Sequence, residues 1–352
     1  MLGLAALALG GELLIRSASR LATLFGLSPL VIGLTVVAWG TSAPELAVSV
    51  QAGIDERPEL AVGNVVGSNI ANVLLILGLC AAMAPLVVHA QIVRREVPVG
   101  IAAALLVIGL AADGRIGRFD GLVLVSGMLA YTVYAVRQSR RETRAVRQEY
   151  AEEFGPQTRP RGSRAVARQL AILAAGLVTL VFGARWLVDS AVSIAQALGV
   201  SEVVIGLTVV AVGTSLPELA ASVVASLRGE RDIAIGNAIG SNLSNLLAIL
   251  GIASLVTPGG LVVAPGILRF DLPVMLAVAA ACLPVFFVGH RLDRWEGVLF
   301  LGYYAAYLGY LTLDAVGHHA LDEFSFAMVA FVMPITAATI GVLVWRTLRA
   351  RR

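Results

Sequence analysis

The sequence predicts an all-α integral membrane protein with ten core transmembrane helices, arranged as two inverted five-helix repeats, and an eleventh C-terminal helix. Three observations lead to this prediction. Of the 352 residues, 58% are hydrophobic and only 14% are charged. Apolar stretches long enough to cross a bilayer recur along the chain, and one long segment occurs twice. This composition excludes an ordinary soluble fold.

Hydropathy gives the order of the helices. The predicted spans are approximately residues 2–24, 29–51, 60–83, 95–112, 119–137, 168–197, 202–226, 233–256, 271–289, 295–314 and 325–346. No basic stretch precedes the first span, which is therefore predicted to be a retained helix and not a cleaved signal peptide. Cys80 and Cys282 lie singly in apolar spans, which predicts core residues and neither a disulfide nor a zinc site.

The distribution of arginine predicts the orientation. The chain contains no lysine, and most of its 26 basic residues lie between the apolar stretches. The arginine-rich stretch 138–167 is placed in the cytoplasm by the positive-inside rule. Counting spans puts the N-terminus outside and the C-terminus in the cytoplasm of a bacterial-type inner membrane. The net charge of +3 reflects this loop bias, so we expect surrounding lipid, no nucleic-acid partner and no protein partner.

The repeated segment begins at Gly33 with GLTVVAWGTSAPELAVSV and at Gly206 with GLTVVAVGTSLPELAASV. The offset of 173 holds without a gap, and 26 of the 45 positions from Gly33 to Leu77 are identical to their counterparts. An odd number of spans in each repeat inverts the second, as in secondary transporters that bind substrate at the bilayer midplane. The predicted divisions are 1–137 for the first repeat, 138–167 for the cytoplasmic loop, 168–315 for the second repeat and 316–352 for the additional helix.

The motif GTSxPE places polar groups on one stripe of a helix and then breaks that helix. Residues at this spacing share one face; they are Ala38, Thr41, Ser42 and Glu45, and in the second repeat Ala211, Thr214, Ser215 and Glu218. Pro44 and Pro217 cannot donate backbone hydrogen bonds, which predicts freed carbonyls four residues earlier. Broken helices within membranes line ion sites in transporters.

A second motif adds further oxygen atoms. Helical spacing puts Asn64, Ser68 and Asn72 on one face, and Asn237, Ser241 and Asn245 on another. Carboxylates, hydroxyls and amide oxygens are hard ligands that suit Ca2+ and can also hold Na+. An intramembrane carboxylate costs about 3 kcal/mol on insertion scales, which favours a functional role for Glu45 and Glu218. For Ser68 and Ser241, bonding back to their own helix stays an alternative.

The first span also carries charge. Glu12 and Arg16 correspond through the repeat to Arg185 and Asp189, with the signs exchanged. Each pair has helical spacing and predicts a structural ion pair. A role in latching alternative conformations is the second interpretation.

The paired GTSxPE segments, each followed by a GSN-containing helix, resemble the cation/calcium exchanger superfamily, specifically its bacterial and archaeal Na+/Ca2+ exchanger branch. The resemblance covers about residues 1–315. It implies Na+ entry coupled to Ca2+ exit, with the second, third, seventh and eighth helices around the ions and the first and sixth sliding across them. It also implies ligand roles, without any bound cofactor, for Glu45, Glu218, Thr41, Ser42, Thr214, Ser215, Ala38, Ala211, Ser68, Ser241, Asn72 and Asn245.

Two departures and two rival functions accompany this resemblance. Many members carry Asp at the position of Asn245, which weakens any inference of K+ transport, and the span after residue 316 lies outside the repeats. A Ca2+/H+ antiporter of the same superfamily is the nearer rival, because carboxylates also exchange protons. An intramembrane lipid pyrophosphate phosphatase is the remote one; it would need Arg or His beside the motif, and neither motif contains one. A transporter, and not an enzyme, is predicted.

Overall fold

A computed structural model of the chain describes residues 1–141, 163–198, 205 and 211–350. Long helices dominate this part of the chain. In order they are α1 (Leu2–Phe25), α2 (Pro29–Thr41), α3 (Ala43–Ile54), α4 (Pro58–Met83), α5 (Ile92–Asp113), α6 (Arg118–Arg141), α7 (Ser163–Ala197), α8 (Ala211–Gly213), α9 (Leu216–Leu227), α10 (Arg231–Val256), α11 (Ile267–Phe287), α12 (Arg294–Ala315) and α13 (Leu321–Arg346).

Eight of the described helices are long and apolar enough to cross a membrane, and the bent pair α2 and α3 makes up to nine. The predicted all-α membrane fold is therefore confirmed. The tenth predicted span corresponds to α12, a 22-residue helix that is not among these eight. Most of the predicted loop 138–167, and the start of the predicted span 202–226, lie outside the described residues; helix α6 continues to Arg141 and α7 begins at Ser163.

The break between α2 and α3 has a local cause. The two helices meet at an angle of 45° around Ser42, whose φ of −81° and ψ of 8° leave the helical region. Pro44 follows at the start of α3, where a missing N–H removes no helical hydrogen bond. Ser215 has the matching φ of −86° and ψ of 5° before α9, which also has a proline, Pro217, in its first turn. Both GTSxPE motifs therefore produce the break that the sequence predicts.

Four two-residue strands, which the sequence does not predict, tie the two repeats together. Strand β1 (Leu86–Val87) pairs antiparallel with β4 (Arg291–Leu292), and β2 (Arg115–Ile116) pairs with β3 (Leu261–Val262). We name the side of the molecule that carries β2, β3 and the α3–α4 loop face A, and the side that carries β1, β4 and the α9–α10 loop face B. Each connection thus pairs with a non-equivalent connection of the other repeat, as inverted repeats require.

Helices α1 and α7 are in backbone contact. A Cβ atom added at Gly10 would lie 2.8 Å from the carbonyl oxygen of Gly176, and one added at Gly3 would lie 2.9 Å from that of Gly183. The offset of 173 relates these two contacts, since it converts Gly3 into Gly176 and Gly10 into Gly183. The two helices therefore run antiparallel around a pseudo-twofold axis, with only small residues at their closest approach.

The remaining sequence predictions concern single residues and the last helix. Cys80 and Cys282 are buried free thiols, as expected. The predicted pair Arg16–Glu12 is present, with 2.7 Å between Nε and Oε1. Within the described part of the chain no ion pair joins Arg185 to Asp189, so that prediction is wrong. Helix α13 is peripheral: its apolar window has no buried residue, and a cavity of about 410 Å3 is lined by residues of α11, α12 and α13.

Candidate ion-binding site

The two glutamates of the GTSxPE motifs begin the second half of each broken span. Glu45 lies in the first turn of α3, and Glu218 lies in the first turn of α9. Each is only 1% exposed. The positive end of a helix dipole stabilises a nearby anion, so the break supplies part of the stabilisation that these buried carboxylates need.

Each glutamate accepts a hydrogen bond from the other repeat. Ser42 Oγ donates to Oε1 of Glu218 over 2.9 Å, and Ser215 Oγ lies 3.4 Å from Oε1 of Glu45. These two contacts are equivalents under the offset of 173. They bring both motifs into one site between the repeats, as the sequence predicts for midplane binding.

Two asparagines brace the glutamates from the neighbouring helices. Asn237 Nδ2 donates to the backbone carbonyl of Glu218 over 3.3 Å and to Ser222 Oγ over 2.9 Å, while its Oδ1 accepts from Thr41 Oγ1 over 3.1 Å. One amide thus connects α10, α9 and α2, and fixes where the first turn of α9 lies.

The mirror arrangement surrounds Asn64. Its Nδ2 lies 3.3 Å from the carbonyl oxygen of Glu45 and 3.0 Å from Ser49 Oγ, and its Oδ1 lies 3.4 Å from Thr214 Oγ1. Asn64 and Asn237 were predicted to lie on the oxygen-rich faces but without a role, and Ser49 and Ser222 were not among the predicted site residues. Their signal was present, since both serines lie four residues after a motif glutamate in segments, ELAVS and ELAAS, that differ at one position.

Several predicted ligands present oxygen atoms without a hydrogen-bond partner. Among the described residues, buried side-chain oxygens in this state include Glu45 Oε2, Glu218 Oε2, Asn72 Oδ1, Asn245 Oδ1 and Ser241 Oγ. Buried polar atoms are normally satisfied. A set of unpartnered oxygens, two of them carboxylate, has the chemistry of a hard-cation site.

The other predicted ligands differ in how closely they join this group. Ser68 Oγ lies 3.3 Å from Ser215 Oγ, and Asn72 Nδ2 donates to Asn242 Oδ1 over 2.9 Å. Ala38 is fully buried in the last turn of α2, before the break at Ser42. The backbone of Ala211 begins α8, but its side chain lies outside the described part.

The described side chains that surround the two glutamates offer oxygen atoms. Within residues 1–141, 163–198 and 211–350, no group of three or more His, Cys, Asp or Glu side chains is positioned to hold a metal ion. The groups available to a cation here are the two carboxylates and neutral oxygens. Such a combination can balance one divalent ion and still accept monovalent ions.

The two ends of the site are not equally accessible. Thr41 and Asn237, toward face B, are fully buried, whereas their counterparts Thr214 and Asn64, toward face A, are partly exposed. The helices explain the difference, because α1 packs along α9, whereas α7 does not pack in the same way against α3 over their described lengths. The arrangement is closed at face B and open toward face A.

Comparison with known proteins gives consistent similarities. The family described as "Sodium/calcium exchanger protein" matches residues 1–137 and 168–313. The inner membrane protein YrbG of Escherichia coli is 38% identical over 259 residues, covering 74% of this chain and 79% of that protein. The sodium/calcium exchanger MaX1 of Methanosarcina acetivorans is 34% identical, covering 88% and 96%. Structures of the sodium-calcium exchanger NCX_Mj superpose with a TM-score of 0.73 at 31% identity, covering 86% and 94%.

Proposed function

The chain belongs to the sodium/calcium exchanger family and is a multi-pass membrane cation/calcium antiporter, and we propose that it carries Na+ inward and Ca2+ outward. The observation that supports this most directly is the cross-repeat site, where Glu45 and Glu218 meet beside unpartnered amide and hydroxyl oxygens. Two carboxylates can neutralise one Ca2+, and after its release they can be neutralised by Na+. Occupancy by the two ions would then alternate.

The predicted ligands take distinct roles in this proposal. Glu45 and Glu218 supply the charge, and both ions use them. The remaining ligands supply neutral oxygen from side chains or, for the alanines, from backbone carbonyls; they are Thr41, Ser42, Thr214, Ser215, Ser68, Ser241, Asn72, Asn245, Ala38 and Ala211. Asn64 and Asn237 hold the glutamates in position and are not themselves ligands.

Alternating access follows from the inverted repeats. Helices α1 and α7, joined by their glycine contacts, would move together across the site and exchange the closed and open ends. The positive-inside rule assigns face B, with Arg94, Arg95 and Arg228, to the cytoplasm. The N-terminus would then lie outside, and the open end would face the exterior of the inner membrane, where external Na+ can reach the site.

The test is uptake of radioactive Ca2+ by proteoliposomes loaded with Na+, with K+, or with acid. We expect uptake driven by internal Na+ alone, and its loss in Glu45→Gln and in Glu218→Gln, because one carboxylate leaves a divalent ion unbalanced. Glu59→Gln, which removes an exposed carboxylate at face A, is the control and should retain Na+-driven uptake. Uptake driven by protons would instead support the Ca2+/H+ antiporter, and uptake that survives both glutamate changes would contradict the proposed site.

A further inference from the structure

The contact that holds face B closed includes an ion pair between two elements. The guanidinium of Arg228, at the end of α9, forms two hydrogen bonds with the carboxylate of Glu12 in α1. Nearby, Ser19 Oγ donates to Glu230 Oε1 over 2.8 Å. A Cβ atom added at Gly11 would touch Val224 at 3.0 Å. Polar and apolar contacts thus fix α1 against α9 on the face B side of the site.

The repeat gives this ion pair a counterpart with both charges reversed. An offset of 173 converts Glu12 into Arg185, and it converts Asp55 into Arg228. The equivalent contact would therefore join Arg185 of α7 to Asp55 at the end of α3. Reversing one sign alone would have produced a repulsive pair, but both signs are reversed, so attraction is retained.

In the structure this counterpart is not formed. Arg185 and Asp55 are both exposed, and within the described residues neither takes part in an ion pair; the Asp55 carboxylate accepts only from Gln51 of its own helix. Other cross-repeat contacts do occur as mirror pairs, among them Ser42–Glu218 with Ser215–Glu45. The missing ion pair lies at the open end, where α7 and α3 are apart.

From this asymmetry we infer that Arg185 and Asp55 form the closing ion pair of face A when the site opens toward face B, and that Glu12 and Arg228 then separate. The inference rests on the alternating access of the proposed function. Exchange of the two repeats' conformations would bring α7 onto α3 as α1 now lies on α9. Each ion pair then stabilises one of the two states, and Arg185, Asp55, Glu12 and Arg228 are positioning residues that do not contact the transported ions.

The test measures conformation without relying on transport. Spin labels are placed at Glu59 and Ser193, both exposed and near face A, in a chain whose native cysteines are replaced (Cys80→Ala, Cys282→Ala). Double electron–electron resonance then gives the populations of a long distance, with face A open, and a short distance, with face A closed. We expect Asp55→Asn and Arg185→Gln to raise the ratio of long to short, and Glu12→Gln and Arg228→Gln to lower it, each about two- to fivefold, as partly exposed ion pairs do.

Controls separate this effect from a general change of charge. Arg57→Gln, at an exposed position two residues from Asp55, should leave the ratio unchanged, and the exchange of charges in Asp55→Arg with Arg185→Asp should restore the parental ratio. The inference is wrong if the ratio of long to short distances in Asp55→Asn and Arg185→Gln equals the ratio in Arg57→Gln, or if it changes in the same direction as in Glu12→Gln. This holds even where Na+-driven Ca2+ uptake persists. A parent with a single distance under Na+, under Ca2+ and without either would overturn alternating access as well.

Discussion

Glu96 is a buried carboxylate that lies outside the candidate ion-binding site. It is 1% exposed in α5, and no described Arg or His forms an ion pair with it. Its oxygens instead accept from Tyr131 Oη over 2.7 Å and from Gln91 Nε2 over 2.9 Å. The second repeat contains a related pair, since Tyr307 Oη donates to Asp271 over 2.8 Å. A tyrosine from the following helix thus satisfies a carboxylate in each repeat.

This arrangement predicts that Tyr131 contributes to stability through Glu96. Tyr131→Phe should lower the free energy of unfolding by about 1.5–3 kcal/mol, the range for a hydrogen bond to a charged group. The effect should shrink in a Glu96→Gln background, because the loss of an interaction shared by two residues is not additive. Unfolding in mixed detergent micelles measures all four members of the cycle. Tyr134→Phe, at a 44% exposed side chain, is the control, and an equal loss for both tyrosines would contradict the prediction.

Single residues differ in how far sequence predicts their part. Glu45 and Glu218 could be proposed as site residues because an intramembrane carboxylate is costly and here occurs twice in register. The contacts of Asn237 with Thr41 and with the Glu218 carbonyl could not, because they depend on the distance at which two helices from different repeats cross. Glu96 and Tyr131 escaped notice because the partner lies 35 residues away on another helix.

At the scale of elements, α1 and α7 pack closely because the glycines at their contact have no side chains. Gly10→Ala would place a Cβ atom 2.8 Å from both Gly176 O and Leu180 N, backbone atoms that cannot move independently of α7. We expect about 1–3 kcal/mol of destabilisation from this overpacking. Gly100→Ala, in α5 with no atom within 4 Å of the added Cβ, should instead be neutral or stabilising by up to about 1 kcal/mol. Unfolding titrations compare the two, and equal behaviour would show that the close approach is not a constraint.

The best-predicted elements are those whose boundaries depend on residues close together in the sequence. Within the described part of the chain, apolar length predicts the boundaries of most spans to within a few residues, and the proline of each GTSxPE motif predicts the position of the break. The strands β1 to β4 could not be predicted, because two-residue ladders have no periodicity and form only where connections from opposite repeats meet. The extension of α6 to Arg141 and the start of α7 at Ser163 lie in polar sequence, where hydropathy carries no signal for a helix.

The whole molecule departs from the symmetry of its sequence. Ala221 of α9 is fully buried, whereas its counterpart Val48 of α3 is 41% exposed. Nearly identical segments therefore occupy different environments. The difference in burial arises from the conformation of the two repeats and not from their sequences. The repeat predicts the pseudo-twofold axis but cannot predict which end of the site is open, since either state satisfies the same sequence.

The open end predicts unequal reactivity at two equivalent threonines. In a cysteine-free chain, Thr214→Cys should react with a charged, membrane-impermeant thiol reagent applied to face A, because Thr214 is partly exposed there. Thr41→Cys should stay unmodified, since Thr41 is fully buried behind the packing of α1 on α9. Mass spectrometry of protein in sealed vesicles of known orientation measures both rates, with the cysteine-free parent as blank. Arg228→Gln should reduce the difference between the two modification rates, because it weakens the contact that closes face B. Modification of Thr41→Cys as fast as that of Thr214→Cys would contradict the assignment of face A as the open end of the site.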